Sequence, residues 1–355
     1  MPEGCIATGV PPCCDAVSML CEPVRSLSVL EIPLLIRKHV AAKHLNVIAF
    51  APNVSTQCRP CVEPAPDERG LRYRPAMKKP STSIDKQLAG LQFSSPKQRF
   101  KLSAIDPSSK PFSTGDKERD KAVVEALAVE LDGLQNVFYA DKRYRLLVVL
   151  QGLDAAGKDG TLRGVFGRMS PLGVRTVGWK APSEEERAHE PLWRIHQQMP
   201  RSGDIVVFNR SHYEDVLVPV VHKWITPEQT KQRYAHLNDF ERMLTESGTI
   251  ICKFMLHVSK DEQRSRLQAR IDDPAKRWKF NAEDLEVRKS WSDYQAAYQS
   301  AIAATSTPWA PWTIVPADSK THRNLMIASV LQRTLKSLDL RYPPGDESLL
   351  GQKIP

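Results

Sequence analysis

The chain has 355 residues, a formal net charge of +9 and seven cysteines. That length suits one large α/β domain with appendages, or two domains, and the excess of lysine and arginine draws polyanions such as nucleic acid, anionic lipid or phosphate-rich metabolites. No segment approaches the run of about 20 apolar residues that a membrane span needs, no basic patch precedes an apolar core as in a secretory signal, and the cysteines form no disulfide framework in a chain of this size.

Residues 1–93 are rich in proline and cysteine and poor in periodicity, as in Cys58-Arg-Pro-Cys61-Val-Glu-Pro-Ala-Pro. A divergent, poorly ordered N-terminal extension is expected there, dispensable for catalysis, with Met77 as an internal start. Cys58-x-x-Cys61 lacks a second half or a histidine at metal spacing, so zinc is not expected. Free thiols in a reducing cytoplasm are. Residues 94–145 comprise an extended arm to about 115, then a helix over 116–139. In that helix Val123, Val124, Leu127, Leu131, Leu134, Val137 and Phe138 recur at helical spacing.

The β-branched run Leu146 to Leu150 predicts a buried strand, and it delivers Gly152-Leu-Asp-Ala-Ala-Gly157-Lys158-Asp159-Gly160. In such a loop successive backbone N–H groups turn inward beside a helix N-terminus and hold phosphate oxygens. The lysine adds a point charge on the bridging or transferred phosphates. Gly152, Ala155, Ala156, Gly157, Lys158, Asp159 and Gly160 are therefore the expected phosphate cradle. Asp159 stands where a hydroxyl residue ordinarily supports magnesium.

Beyond the loop, a helix over Thr161 to Met169 breaks at Pro171-Leu-Gly173, and Val174 to Trp179 reads as a strand. Ser183, with Glu186 three residues on, begins a helix that includes Leu192, Trp193, Ile195 and His196. A buried strand over Asp204 to Asn209 follows, then a charged helix over Glu228 to Ser247 capped by Gly248, and a strand over Thr249 to His257. Helices over Asp261 to Ile271 and Glu283 to Ser300 flank a basic, aromatic connection. A strand over Trp312 to Pro316 and a helix over His322 to Leu338 complete the pattern. The alternation predicts an α/β fold, a parallel sheet covered on both faces. The catalytic domain is expected over 146–340, with a lid at about 261–291 and a tail over 341–355.

Two further clusters carry chemistry. Asn209, Arg210, Glu214 and Asp215 follow a buried strand at the carboxyl edge of the sheet, where open α/β folds bind ligands. The arginine fork grips phosphate oxygens in a bidentate way. Arg266 and Arg270 share a helix face, and Arg277 and Lys279 lie on a turn beyond Pro274. Such a lid closes basic groups over a phosphoryl donor and excludes water. Trp291, Tyr294 and Tyr298 read as packing, and His189, His196, His212 and His222 do not make a metal spacing.

From about Lys101 to Leu338 the chain resembles the second polyphosphate kinase family, in its AMP/ADP-using branch. The resemblance rests on Gly152-Leu-Asp-Ala-Ala-Gly-Lys-Asp159, Lys180-Ala-Pro-Ser183, Phe208-Asn-Arg-Ser-His-Tyr-Glu-Asp215, Asp272-Asp-Pro-Ala-Lys-Arg-Trp-Lys279, Thr305-Ser-Thr-Pro-Trp-Ala-Pro-Trp312 and Val315-Pro-Ala-Asp318. It implies a P-loop kinase-like fold with a helical lid and Mg2+-dependent phosphoryl transfer between inorganic polyphosphate and adenine nucleotides, AMP to ADP and ADP to ATP. It also implies a homo-oligomer. Carried over, Asp154 and Lys158 are the loop's acid and lysine, Asn209 and Arg210 the pair ending the second motif strand, and Arg270 and Lys279 the lid's basic residues. Several members carry aspartate at the Asn209 position, so the expected metal ligands are Asp154 and Asp215, with Glu214 as an alternative. Asp154, Lys158, Arg210 and Arg270 are the expected catalytic residues. Asn209, Arg210, Glu214 and Asp215 are expected to bind nucleotide, and Arg266, Arg277 and Lys279 to bind polyphosphate. An ATP-dependent nucleoside monophosphate kinase and a basic nucleic-acid-binding protein are the rival readings.

Overall fold

The computed structural model describes residues 83–354 apart from Lys97. The expectations for residues 1–82, the Cys58-x-x-Cys61 pair among them, lie outside the described residues. The described chain forms a six-stranded sheet. Its strands in chain order are β1 (Gln92–Phe93), β2 (Arg145–Gln151), β3 (Val174–Gly178), β4 (Ile205–Asn209), β5 (Thr249–His257) and β6 (Trp312–Pro316). Across the sheet the order is β1-β6-β5-β2-β4-β3. All neighbours are parallel except β1 on β6.

Strand β2 lies between β4 and β5, with Leu146 opposite both Ile205 and Ile250. Its side chains alternate between two cores, as the two-residue period of a strand demands. Leu146, Val148 and Leu150 join the cluster containing Leu131, Phe138, Met326 and Leu335, from helices α2 (Lys117–Asp141) and α11 (Lys320–Lys336). Leu147 and Val149 join Leu237, Phe240, Tyr298 and Ile302, from α7 (Pro227–Glu246) and α10 (Trp291–Thr305). Burial on both faces is why the strand reads as an unbroken apolar run.

Several boundaries depart from the sequence reading. Residues 83–93, expected within a poorly ordered extension, form α1 (Ser83–Leu88) and β1, with Leu88 and Phe93 buried. The arm beyond them includes a short 3-10 turn, Leu102–Ala104. After β2, α3 (Lys158–Thr161) passes into a π-wound turn, Leu162–Phe166. The helix begun by Ser183 is short, α4 (Glu184–Ala188), with the expected capping box. Pro191 favours extended backbone before it, so Leu192 to His196 belong to a separate turn, α5 (Trp193–His196). The segment over Glu283 to Ser300 divides at Ser290 into α9 (Glu283–Lys289) and α10.

Helix α6 (Glu214–Val221) has no counterpart in the sequence reading, because Pro219 lies inside it. Proline cannot donate to the carbonyl four residues back. Here the Arg233 guanidinium donates to Asp215 O instead, at 2.5 Å, and the helix persists.

Candidate active site

The segment after β2 passes from strand to helix in six residues, and its backbone is shaped by what surrounds it. At Gly152 a Cβ would stand 2.9 Å from the carbonyl oxygen of Leu256 on β5. Gly157 has φ +111°, a conformation that side chains resist, and Arg323 occupies the space a Cβ would need. Ala155 also adopts a positive φ, +60°. The loop thus curls over the carboxyl end of the sheet, with α3 starting at Lys158.

Lys158 is only 9% exposed. Its ammonium donates back to the loop, to Gly152 O at 2.7 Å and Leu153 O at 3.2 Å. Burial lowers its pKa below the usual lysine value, partly offset by the negative charge of Asp154. A desolvated ammonium held by carbonyls alone gains strongly from an arriving phosphate.

Strand β4 ends beside the loop. Asn209 Nδ2 donates to Asp159 Oδ1 at 2.9 Å, tying the strand end to the loop. Arg210 adopts φ +66°, which turns its side chain across to Asp154, with Nη2 to Oδ1 at 2.7 Å. Glu214 lies 3.6 Å from the other arm of the fork and accepts from Gln151 Nε2 at 2.5 Å. Burial works against the Arg210 charge, but Glu214 and Asp154 outweigh it and hold its pKa above the ordinary arginine value.

The lid comprises α8 (Lys260–Asp272), a 3-10 turn (Arg277–Lys279) and α9. Arg270 reaches Asp284 on α9 at 3.3 Å and the Lys279 carbonyl at 3.4 Å. Lys279 faces the loop, its ammonium 3.9 Å from Asp159. Loop, strand end and lid enclose a cleft of about 930 Å3 lined by Asp154, Gly157, Lys158, Asn209, Arg210 and Arg270, among others.

Three of the expected residues sit differently. Asp215 is turned away from the cleft, 3.3 Å from Arg194, and burial raises its pKa despite that partner. It was expected to hold metal and nucleotide; in this geometry it lies outside the cleft lining and joins α6 to Arg194. Arg277 spends its Nε on the Ile271 carbonyl. Arg266 borders the cleft, but its guanidinium is fully committed: Nε donates to Glu262 Oε1 at 2.7 Å, Nη1 to Ala155 O and Ala156 O, each at 3.0 Å, and Nη2 to Ala317 O at 2.7 Å and Asp318 O at 2.8 Å. It splints the loop to the end of β6 rather than presenting free donors to a polyanion.

Sequence reading missed Arg323. It lies in the first turn of α11, is 2% exposed, and packs its guanidinium against Gly157 and Gly160. Its only sequence signal is an arginine in the helix that follows the last buried strand. No histidine, cysteine, aspartate or glutamate group of three or more is placed to hold a metal among the described residues. Asp154, paired with Arg210, is one of several carboxylates that line the cleft, with Asp159, Glu262, Glu283 and Asp284. Magnesium takes one or two carboxylates and fills its remaining positions with water and substrate phosphate, so Asp154 at the cleft beside the glycine-framed loop fits it.

Comparison with known proteins identifies the chain's relatives. Residues 114–343 match the family model for polyphosphate kinase 2. An AMP/ADP-polyphosphate phosphotransferase of Meiothermus ruber is 49% identical over 251 residues, covering 70% of this chain and 93% of that protein. An ADP-polyphosphate phosphotransferase of Rhodopseudomonas palustris is 41% identical, over 64% of this chain and 83% of the relative. The crystal structure of polyphosphate kinase 2 from Arthrobacter aurescens superposes with a TM-score of 0.69 at 44% identity, covering 72% of this chain and 94% of that one. With the loop, the Asn209–Arg210 strand end and the basic lid all in place around one cleft, the chain belongs to the polyphosphate kinase 2 family.

Proposed function

We propose that this protein transfers the terminal phosphoryl group of inorganic polyphosphate to AMP, and onward to ADP, with Mg2+. One observation carries the reading: a glycine-framed loop, a buried ammonium and two arginines converge on a single cleft in a chain 49% identical, over 251 residues, to an AMP/ADP-polyphosphate phosphotransferase. The loop amides and Lys158 hold the donor's end phosphates. Arg210 neutralises charge that builds on the group in transit, and Asp154 keeps the Arg210 fork aimed across the loop. Arg270 and Lys279 add positive charge from the lid side and exclude water as the lid settles.

Little covalent help is required. A metaphosphate-like group passes between oxygens that are already anionic, so alignment and charge neutralisation supply the catalysis. No side chain needs to act as a base, because the acceptor phosphate is itself the nucleophile. Asp154 would hold Mg2+, which when bound would supply further charge neutralisation. Glu214, which orients Arg210 and Gln151, is better suited to positioning than to metal binding.

Nucleotide substrates imply a cytoplasmic setting, and no helix among the described residues is long and apolar enough to cross a membrane. The test is to incubate the protein and Mg2+ with AMP and end-labelled polyphosphate. The label should appear in the β-phosphate of ADP while the polymer shortens by single units. Release of label only as orthophosphate would overturn the proposal.

A further inference from the structure

Arg210 reaches across the loop from a strained backbone, and the surrounding structure must hold it there. Its φ of +66° lies in the left-handed region, which a residue with a side chain keeps only where its surroundings over-determine it. Upstream the sheet does this: Arg210 N donates to Leu150 O at 3.0 Å. Downstream lie Ser211, His212 and Tyr213, all fully buried, and these need an anchor of their own.

The anchor is a charge pair sealed inside the protein. Lys253 of β5 and Glu241 of α7 are both shut off from solvent and meet at 2.6 Å. The Lys253 ammonium gives its other two protons to Tyr213 Oη and Thr305 O, each at 2.8 Å. The second Glu241 oxygen accepts from Tyr213 Oη at 2.9 Å and lies 3.1 Å from His212 Nε2. Glu241 thus grips two of the three residues that follow Arg210. An ion pair at this depth is a poor source of stability, since apolar residues of similar volume often serve a fold as well or better. None of these four side chains lines the cleft, so substrate contact does not account for the pair either. What a fully bonded buried network supplies is one fixed geometry.

We propose that the Glu241–Lys253 pair is a positioning device for Arg210: through His212 and Tyr213 it locks the turn after β4, so that the arginine fork is preset across the loop before substrate arrives. This rests on the catalytic place given to Arg210 above. Charge preset for the transition state raises turnover more than affinity, so the network acts on kcat.

The test uses Tyr213→Phe, which frees the turn from the hydroxyl's bonds while leaving Glu241 and Lys253 paired and the ring in place. With polyphosphate, AMP and Mg2+, kcat should fall about 10-fold, the scale of one lost hydrogen bond to a charged group. KM for each substrate should stay within about twofold of wild type, since uniform binding is untouched. In an Arg210→Lys background the same change should cost less than about threefold, because contacts that act through one side chain do not add. His212→Leu should repeat the loss, and His212→Gln, which keeps a donor toward Glu241, should recover most of it. That pair decides the matter should Tyr213→Phe fail to fold. A folded Tyr213→Phe with wild-type kcat, equal losses with and without Arg210, or a loss confined to Tm overturns the inference. If wild type forms no ADP from polyphosphate, the parent reading fails, and crystal structures still test the clamp. Arg210 should sit on Asp154 in wild type and lie displaced or in two conformers in Tyr213→Phe; an unmoved fork overturns it.

Discussion

Replacing Lys158 with alanine removes the one ammonium that lies beneath the loop, and the structure fixes how large the effect should be. Nζ makes two bonds, to Gly152 O at 2.7 Å and Leu153 O at 3.2 Å, from a side chain almost shut off from solvent. Losing a preorganised donor at a developing charge costs about 10²–10³-fold in kcat, or roughly 3–4 kcal/mol. The stability cost is smaller: two carbonyls lose a donor, worth about 1–3 kcal/mol, but the burial penalty on the ammonium disappears with it. The variant should therefore fold, lose turnover, and shift Tm by a few degrees at most. Initial rates of ADP formation from AMP and polyphosphate, read by anion-exchange chromatography alongside a melting curve, check both parts. The wild-type pH profile adds a second reading. Burial lowers the Lys158 pKa, so kcat/KM for polyphosphate should begin to fall below the ordinary lysine value of about 10.4. Bound phosphates favour the charged form, so the corresponding limb in kcat should lie higher. A folded Lys158→Ala enzyme within about threefold of wild type would refute the reasoning, because a lost donor at developing charge costs far more.

Chelation with EDTA should abolish transfer and added Mg2+ restore it, and Asp154→Asn should raise the half-saturating Mg2+ concentration by about 10-fold; an unchanged Mg2+ requirement would remove Asp154 from the metal. Lys253→Met should destabilise the fold by about 3–5 kcal/mol in urea unfolding, since it leaves buried Glu241 without the ammonium now 2.6 Å from it; a neutral effect would mean that Glu241 takes up a proton at little cost. His257 and His322 have pKa values lowered, first of all by burial, and the backbone N–H of Phe112 donates to His322 Nε2 at 3.2 Å. Their folded values lie below the unfolded one, so the stability they contribute is whole above about pH 6.5 and drains away as pH falls from there through the folded values. A Tm that is flat from pH 7 to pH 5 would contradict this.

What was legible in the sequence follows physical lines. Strands β5 and β6 appear at the residues their apolar runs predict, Thr249 to His257 and Trp312 to Pro316, because a strand buried on both faces leaves a contiguous signal. The phosphate loop was legible too, since glycine spacing and a preceding strand are local. Elements decided by tertiary partners were not. Helix α6 contains Pro219, and the carbonyl that proline leaves without a donor, Asp215 O, accepts from Arg233, eighteen residues beyond Asp215. Strand β1 is two residues long and exists by pairing with β6.

The same divide runs through the site. Arg266 and Arg270 lie on one helix, four residues apart, and sequence assigned the first to polyphosphate and the second to catalysis. Distant carbonyls of the loop and of Ala317 and Asp318 claim the first, while the second pairs with Asp284 across the cleft wall. Asp215 follows Glu214 directly, yet one faces Arg194 and the other Arg210, because neighbours on a helix point some 100° apart. Arg323 could be found only once the fold had brought α11 beneath the loop.

Donor choice tests the central claim most directly. With AMP, Mg2+ and equal phosphoanhydride concentrations of polyphosphate or ATP, initial rates of ADP formation are measured for each donor separately. The account predicts that polyphosphate is the faster donor and that Lys158→Ala suppresses its reaction. An enzyme that leaves polyphosphate intact and makes ADP from ATP and AMP would contradict it.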